Sequence, residues 1–242
     1  MKLKTIKESS WISFSDLMTA LMLIFMFIAI SYIVEVKKGE QEIEDILQNY
    51  ENTKNNLYNQ LQNEFENDFK NWQVELDDDL SIKFTNPDIL FDRGSTKLTA
   101  EFKTILNNFL PRYFNVILNE KYIEDILEVR IEGHTDQVPV PRLDPDPYIG
   151  NIMLSQSRST EVLSYFKKSD YYTKLKENDK EKLKFMLTSN GLSFGRMLDD
   201  NKELIVNSNN KPNNDLSRRV EFKIITKTEE AVDKVISKLK NK

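Results

Sequence analysis

The chain has 242 residues, 39% of them hydrophobic and 30% charged, with a formal net charge of -5, no cysteine and one histidine. That length leaves room for a domain of ordinary size plus a few further elements. The acidic balance, with no isolated basic patch, argues against direct nucleic acid binding, because phosphates would be repelled. The lack of cysteine excludes disulfides and thiolate metal sites and suits an exported domain, and the lone His134 excludes a multi-histidine zinc site.

After a short N-terminus at 1–10, the stretch 11–36 is predicted as a transmembrane helix. From 12 to 34 it is almost wholly apolar, with one ionisable group, Asp16. Roughly twenty such residues at ~1.5 Å each span the ~30 Å hydrocarbon layer. Lys2, Lys4 and Lys7 precede it with only Glu8 against them, which places the N-terminus in the cytoplasm and the remainder outside. A carboxylate in that layer costs about 2.5–3.5 kcal/mol on insertion scales, so Asp16 is expected to face a partner or an ion path. Two plainer readings compete: Ala29-Ile30-Ser31 resembles the small-residue site of a cleaved signal peptide, and Asp16 could sit at headgroup depth and merely begin the helix with Ser13 and Ser15 as partners.

Residues 37–79 turn to Glu, Asn, Gln, Asp and Lys, with apolar residues at Ile43, Leu47, Tyr50, Leu57, Leu61, Phe65, Phe69, Trp72 and Leu76. These helical spacings predict a helical connector whose narrow stripe suits a parallel pair; the alternative is a solvated single helix or spacer.

A globular domain is predicted over 80–227. Leu80, Ile82 and Phe84 alternate as a strand, Asn86-Pro87-Asp88 is a turn, and Ile89 to Phe91 returns as a short strand. Ser95 or Thr96 is expected to cap a helix that Pro111 ends or kinks. Ile126 to Gly133 reads as a strand with Leu127, Val129 and Ile131 on one face, followed by a proline-dense loop at 138–147 and a helix carrying Met153, Leu154, Val162 and Phe166. Beyond a charged insertion come a strand at 185–187, a turn at Asn190-Gly191, a last strand at 220–225 and a Lys-rich tail at 228–242. Strands interleaved with helices predict an α/β two-layer sandwich.

The polar run His134-Thr135-Asp136 leaves the end of one strand, and Asn151, Leu154, Ser155 and Arg158 share a helix face. A carboxylate and a planar guanidinium on neighbouring rigid elements suit a zwitterion, its ammonium on Asp136 and its carboxylate on Arg158, although an ordinary ion pair between the two is the plainer outcome. Ser155, His134 and Asp136 also raise a hydrolase triad, disfavoured because His134 and Asp136 leave an extended segment on the same side and no nucleophile elbow is present.

IEGHTD ending at Asp136, N-x-x-L-S-x-x-R from Asn151 to Arg158, and Ser217-Arg218-Arg219-Val220-Glu221 together resemble the OmpA-like peptidoglycan-binding domain. The resemblance implies a non-catalytic module in which Asp136 and Arg158 hold the free amino-acid end of diaminopimelate, Asn151 and Leu154 shape the pocket, Tyr148 borders it, and His134, Thr135, Arg218 and Arg219 support it. Ser217 stands where asparagine is usual, and the loop before Asn151 is longer and richer in proline than in the shortest members, so the pocket rim stays open.

Trp11 and Ser15-Asp16-Leu17-Met18-Thr19-Ala20-Leu21-Met22 resemble the MotB-like stator family, in which this helix carries the ion-binding aspartate. That resemblance runs end to end and implies a single-pass protein of the bacterial inner membrane with a periplasmic domain. It also implies Asp16 as ion carrier for H+, with Na+ open, Ser15 and Thr19 beside the path, and no cofactor. The implied partners are a second copy of the chain, peptidoglycan, and a ring of MotA-like multi-helix subunits, a pentamer around the dimer. Within this plan the helix is most similar to the motor of the Zorya anti-phage defence system; a flagellar stator and a passive wall tether are the alternatives.

Overall fold

The structure is a computed structural model that describes residues 5–92, 94–208, 210–229 and 232, with side chains from residue 14 onward. Residues 1–4, the Trp11 side chain and nearly all of the Lys-rich tail therefore lie outside it. The chain divides into two units, Met1–Gln48 and Asn49–Lys242.

Helix α1 covers Thr5–Phe65. In the first unit its apolar side chains, among them Leu17, Leu21, Phe25, Ile28 and Ile33, are exposed, and this is the one stretch among the described residues long and apolar enough to cross a membrane. In the second unit the same helix changes role. Leu57, Leu61 and Phe65, which read in the sequence as part of a seam between two helices, are at most 1% exposed and belong to the globular core. Their spacing of four puts them on one helix face, and a coiled-coil seam and a core-facing stripe share that local pattern. Arg112 ties them in: its Nε donates to Glu64 Oε1 at 2.7 Å and its Nη1 to Asp68 Oδ2 at 2.7 Å, with the guanidinium 4.7 Å from the centre of the Phe65 ring.

After a short helix, α2 (Phe69–Trp72), strand β1 (Val74–Leu76) pairs antiparallel with β2 (Ser81–Phe84), so the folded domain starts before residue 80. The five-stranded sheet has the order β1-β2-β5-β3-β4, with β3 at Ile126–Gly133, β4 at Leu187–Gly191 and β5 at Val220–Thr226. The β3–β4 pair is parallel and the others antiparallel. A parallel pair needs a crossover, supplied here by α5 (Pro147–Lys168), α6 (Asp170–Lys174) and α7 (Glu177–Met186). The expected α/β two-layer sandwich is what forms: one sheet face packs on α5 and on α4 (Ala100–Ile117) through an aromatic cluster in which Phe109 lies 5.0 Å from Phe222 and 5.1 Å from both Phe84 and Phe65.

Local details depart from the sequence expectations for identifiable reasons. The strand expected at 89–91 is instead the end of a helical turn, α3 (Pro87–Leu90), because the Asn86 side chain accepts from Asp88 N and Pro87 takes the first helical position. Helix α4 is capped by Thr99, accepting from Phe102 N, rather than by Ser95 or Thr96, and it runs through Pro111 to Ile117. Buried Phe109, Leu110, Tyr113 and Phe114 on either side hold it across the proline. A register shift between Ile126 and Glu128 turns Leu127 out to solvent while Val129 and Ile131 stay buried. Phe185, expected to begin a strand, lies in the last turn of α7 and is exposed, and Asn190 and Gly191, expected as a turn, close β4 opposite Glu132 and Gly133.

Because Leu61 is core rather than seam, Leu61→Ala is expected to lower stability by about 2–5 kcal/mol. Denaturant unfolding of the full chain at two concentrations checks this, since a loss that vanished on dilution would return the residue to a helix–helix contact.

Candidate functional site

Strand β3 ends at Gly133, and the next three residues are held by backbone bonds: His134 N donates to Arg219 O at 3.0 Å and Thr135 N to Ser193 O at 2.9 Å. Asp136 is thereby placed just past the end of β3, 6% exposed. Its Oδ1 accepts from Val138 N at 3.0 Å, and its Oδ2 accepts from Arg218 Nη1 at 2.8 Å. The plainer expectation for Asp136 was an ion pair with Arg158. The structure gives it Arg218 instead.

Helix α5 begins where Asp146 accepts from Tyr148 N at 2.7 Å and Ile149 N at 3.3 Å, with Pro147 as first residue. Asn151, Leu154, Ser155 and Arg158 lie on its buried face, as their spacing requires. Arg158 Nε donates to Ser95 O at 3.0 Å, and the guanidinium lies 4.8 Å from the centre of the Phe91 ring. No carboxylate among the described residues is within ion-pair distance of it. Burial pulls the Arg158 pKa down to about 10, with Arg218 and Arg142 pushing the same way and the Asp136 charge opposing. An anion brought to this guanidinium would relieve that strain.

Asp136, Leu154, Asn151, Arg158, Arg218 and Thr135 all line one cavity of about 490 Å³, a size suited to a small ligand. Asn151 Nδ2 donates to Val138 O and Pro147 O, both at 3.0 Å, while its Oδ1 and the Thr135 hydroxyl are buried without a partner among the described residues. The cavity thus combines unneutralised guanidinium with buried oxygen acceptors, which is the chemistry of a zwitterion site.

Phe91 and Arg142 also line the cavity and the Ser95 carbonyl holds Arg158, parts in the site that sequence reasoning gave to none of them. The one signal for Arg142 was an arginine inside the proline-dense loop, whose 138–142 segment forms the rim. Tyr148 does not border the cavity. It is 47% exposed and packs edge-on against Phe194 at 5.4 Å. Arg219 Nε donates to Glu221 Oε1 at 2.5 Å, so of the paired arginines Arg218 orders Asp136 and Arg219 serves the strand behind it. Ser217 has a backbone role: its Oγ accepts from Leu198 N at 3.1 Å and donates to Asn213 O at 2.6 Å.

Gly133 and Gly191 are required for space. A Cβ there would lie 2.3 Å from Ser155 O, and one on Gly191 2.3 Å from Gln156 N, so both glycines let α5 lie directly on β3 and β4. The hydrolase triad does not assemble. Ser155 Oγ is spent on Asn151 O at 2.8 Å and Ser193 N at 3.0 Å, and the His134 ring faces Glu132 and Glu221.

In the first unit Asp16 is exposed on α1, and the Thr19 hydroxyl donates to Ser15 O at 2.9 Å, leaving its lone pairs able to accept.

No family model matches the chain. The Zorya protein ZorB of Escherichia coli is 38% identical over 228 residues, spanning 93% of this chain and 92% of that protein. Among solved structures, similar ones include the cell wall anchor of the T6SS from Pseudomonas aeruginosa, at 20% identity and a TM-score of 0.44 over 69% of this chain and 97% of that one. A putative MotB like protein from Desulfovibrio vulgaris aligns at 19% identity and a TM-score of 0.43 over 76% and 96%. The periplasmic domain of Helicobacter pylori MotB aligns at 16% and 0.42 over 69% and 97%.

Since Ser155 holds the Ser193 amide, Ser155→Ala is expected to lower unfolding free energy by about 1–3 kcal/mol through an unsatisfied buried donor. Chemical denaturation measures it, and a neutral substitution would remove the structural role.

Proposed function

The chain belongs to the family of the Zorya protein ZorB, and from that premise we propose that it is the wall-anchored stator subunit of an ion-driven membrane motor acting in anti-phage defence. It crosses the bacterial inner membrane once through α1, with its N-terminus in the cytoplasm and the sandwich domain in the periplasm.

The observation that carries the anchoring half is the cavity in which Arg158 has no carboxylate partner among the described residues while Asp136 is already oriented by Arg218. A free amino-acid end, such as that of diaminopimelate in a peptidoglycan stem peptide, supplies both missing partners. Its carboxylate pairs with the Arg158 fork, and its ammonium takes the remaining lone pairs of Asp136 and the Asn151 and Thr135 acceptors. Leu154 forms the apolar floor.

The motor half rests on Asp16 in an otherwise apolar membrane stretch. Two copies of the chain inside a ring of MotA-like multi-helix subunits, five around the pair, would let Asp16 take up an ion, most simply a proton, on one side and release it on the other. Each charge that crosses is worth about 2.3 kcal/mol per 100 mV, enough to bias a step of the ring. Ser15 and Thr19 flank that path. The wall-bound domain holds one part of the machine still so that the other does work.

Asp136→Ala and Arg158→Ala are each expected to reduce retention on purified peptidoglycan about tenfold or more, the consequence of losing roughly 1.4 kcal/mol or more of ligand contact. Arg158→Lys should fail similarly, because an ammonium cannot replace the planar fork. Undiminished retention of the alanine variants would reject the pocket.

Asp16→Asn is expected to leave expression and wall retention intact and to abolish protection of cells against phage together with ion flux. Full protection by that variant would reduce the protein to a passive tether.

A further inference from the structure

Behind the binding pocket, on the sheet face away from the helices, Glu132 of β3 stands directly opposite Glu221 of β5. Both are nearly buried, at 5% and 6% exposure, and like charges in direct cross-strand register repel. Arg219 donates to Glu221, and the group facing the Glu132 carboxylate is the imidazole of His134. Between them sits the ring of His134, 2% exposed, with neither nitrogen within hydrogen-bond distance of a partner among the described residues.

The distances carry a specific meaning. His134 Nε2 is 3.6 Å from Glu132 Oε2 and 3.6 Å from Glu221 Oε1. That is too long for a hydrogen bond. Two ligands each ~2.1 Å from a shared cation, however, stand ~3.6 Å apart at an angle of about 118°, between trigonal and tetrahedral. The three ligand atoms all lie within 4.8 Å of one another. We infer that Glu132, His134 and Glu221 form a binding site for a divalent cation of the zinc type.

The donor set supports that class of metal: one imidazole and two carboxylates suit Zn2+ better than Ca2+ or Mg2+, which take oxygen alone. Arg219, on Glu221, is the outer partner that fixes a ligating carboxylate. Counting histidines in the sequence removed only multi-histidine sites. The cation would clip β3 to β5 two residues before Asp136 and beside Arg218, and so hold the strand ends from which the binding pocket projects.

His134 is the chain's sole histidine, which makes the test direct. The full-length protein, purified in detergent without a histidine tag and stripped with a chelator, is titrated with Zn2+ while binding heat, melting and the imidazole NMR resonances are followed. Expected are one Zn2+ per chain, a displaced His134 signal, and a melting midpoint raised by about 5 °C or more at a hundredfold excess over Kd. Glu132→Gln should weaken binding at least tenfold. Absence of binding, binding that leaves the His134 resonances unmoved, or undiminished affinity in Glu132→Gln would each overturn the assignment. Should that variant not fold, the imidazole readout of the unaltered protein decides alone.

Discussion

The close approach of α5 to the sheet is the constraint on which the rest depends. At Gly133 and Gly191 the strands β3 and β4 come so near the helix that a single methyl group would overlap the backbone of Ser155 or Gln156. Because contact is made through backbone, the helix cannot slide or rotate without breaking the bonds that Ser155 and Gln156 make to Ser193 and Gly191. The register of α5 on the sheet is fixed, and with it the placement of Asn151, Leu154 and Arg158 over the strand end that carries Asp136.

Charge then separates two environments that lie a few residues apart. Adjacent residues of an extended chain point to opposite sides, and Arg218 and Arg219 use this: one orients Asp136 at the pocket, the other holds Glu221 behind it. Buried pairs of this kind add little to stability, since desolvation offsets much of the attraction. Their effect is on geometry. Asp136 is held in one orientation by Arg218, and Arg158 has no carboxylate of its own among the described residues, so the internal pairing leaves that guanidinium unneutralised.

The end of α1 shows how one pattern can serve two purposes. Leu57, Leu61 and Phe65 complete the aromatic core around Phe109, and Arg112 fastens their turn to α4. The same helix that presents exposed apolar residues in the first unit therefore contributes structure to the second.

Much was determined by the sequence alone. The apolar stretch around Asp16, the strand at Ile126–Gly133, the helix face of Asn151 to Arg158 and the two-layer sandwich follow from local periodicity, which a single chain segment encodes in full. What only the tertiary structure decided were matters of partner and distance. Whether Leu57, Leu61 and Phe65 meet another helix or their own domain, whether Asp136 pairs with Arg158 or Arg218, why Gly133 must be glycine, and that Glu132, His134 and Glu221 converge all depend on residues brought together from remote positions. Spacing along a chain states which side chains share a face; it carries no record of what that face will meet.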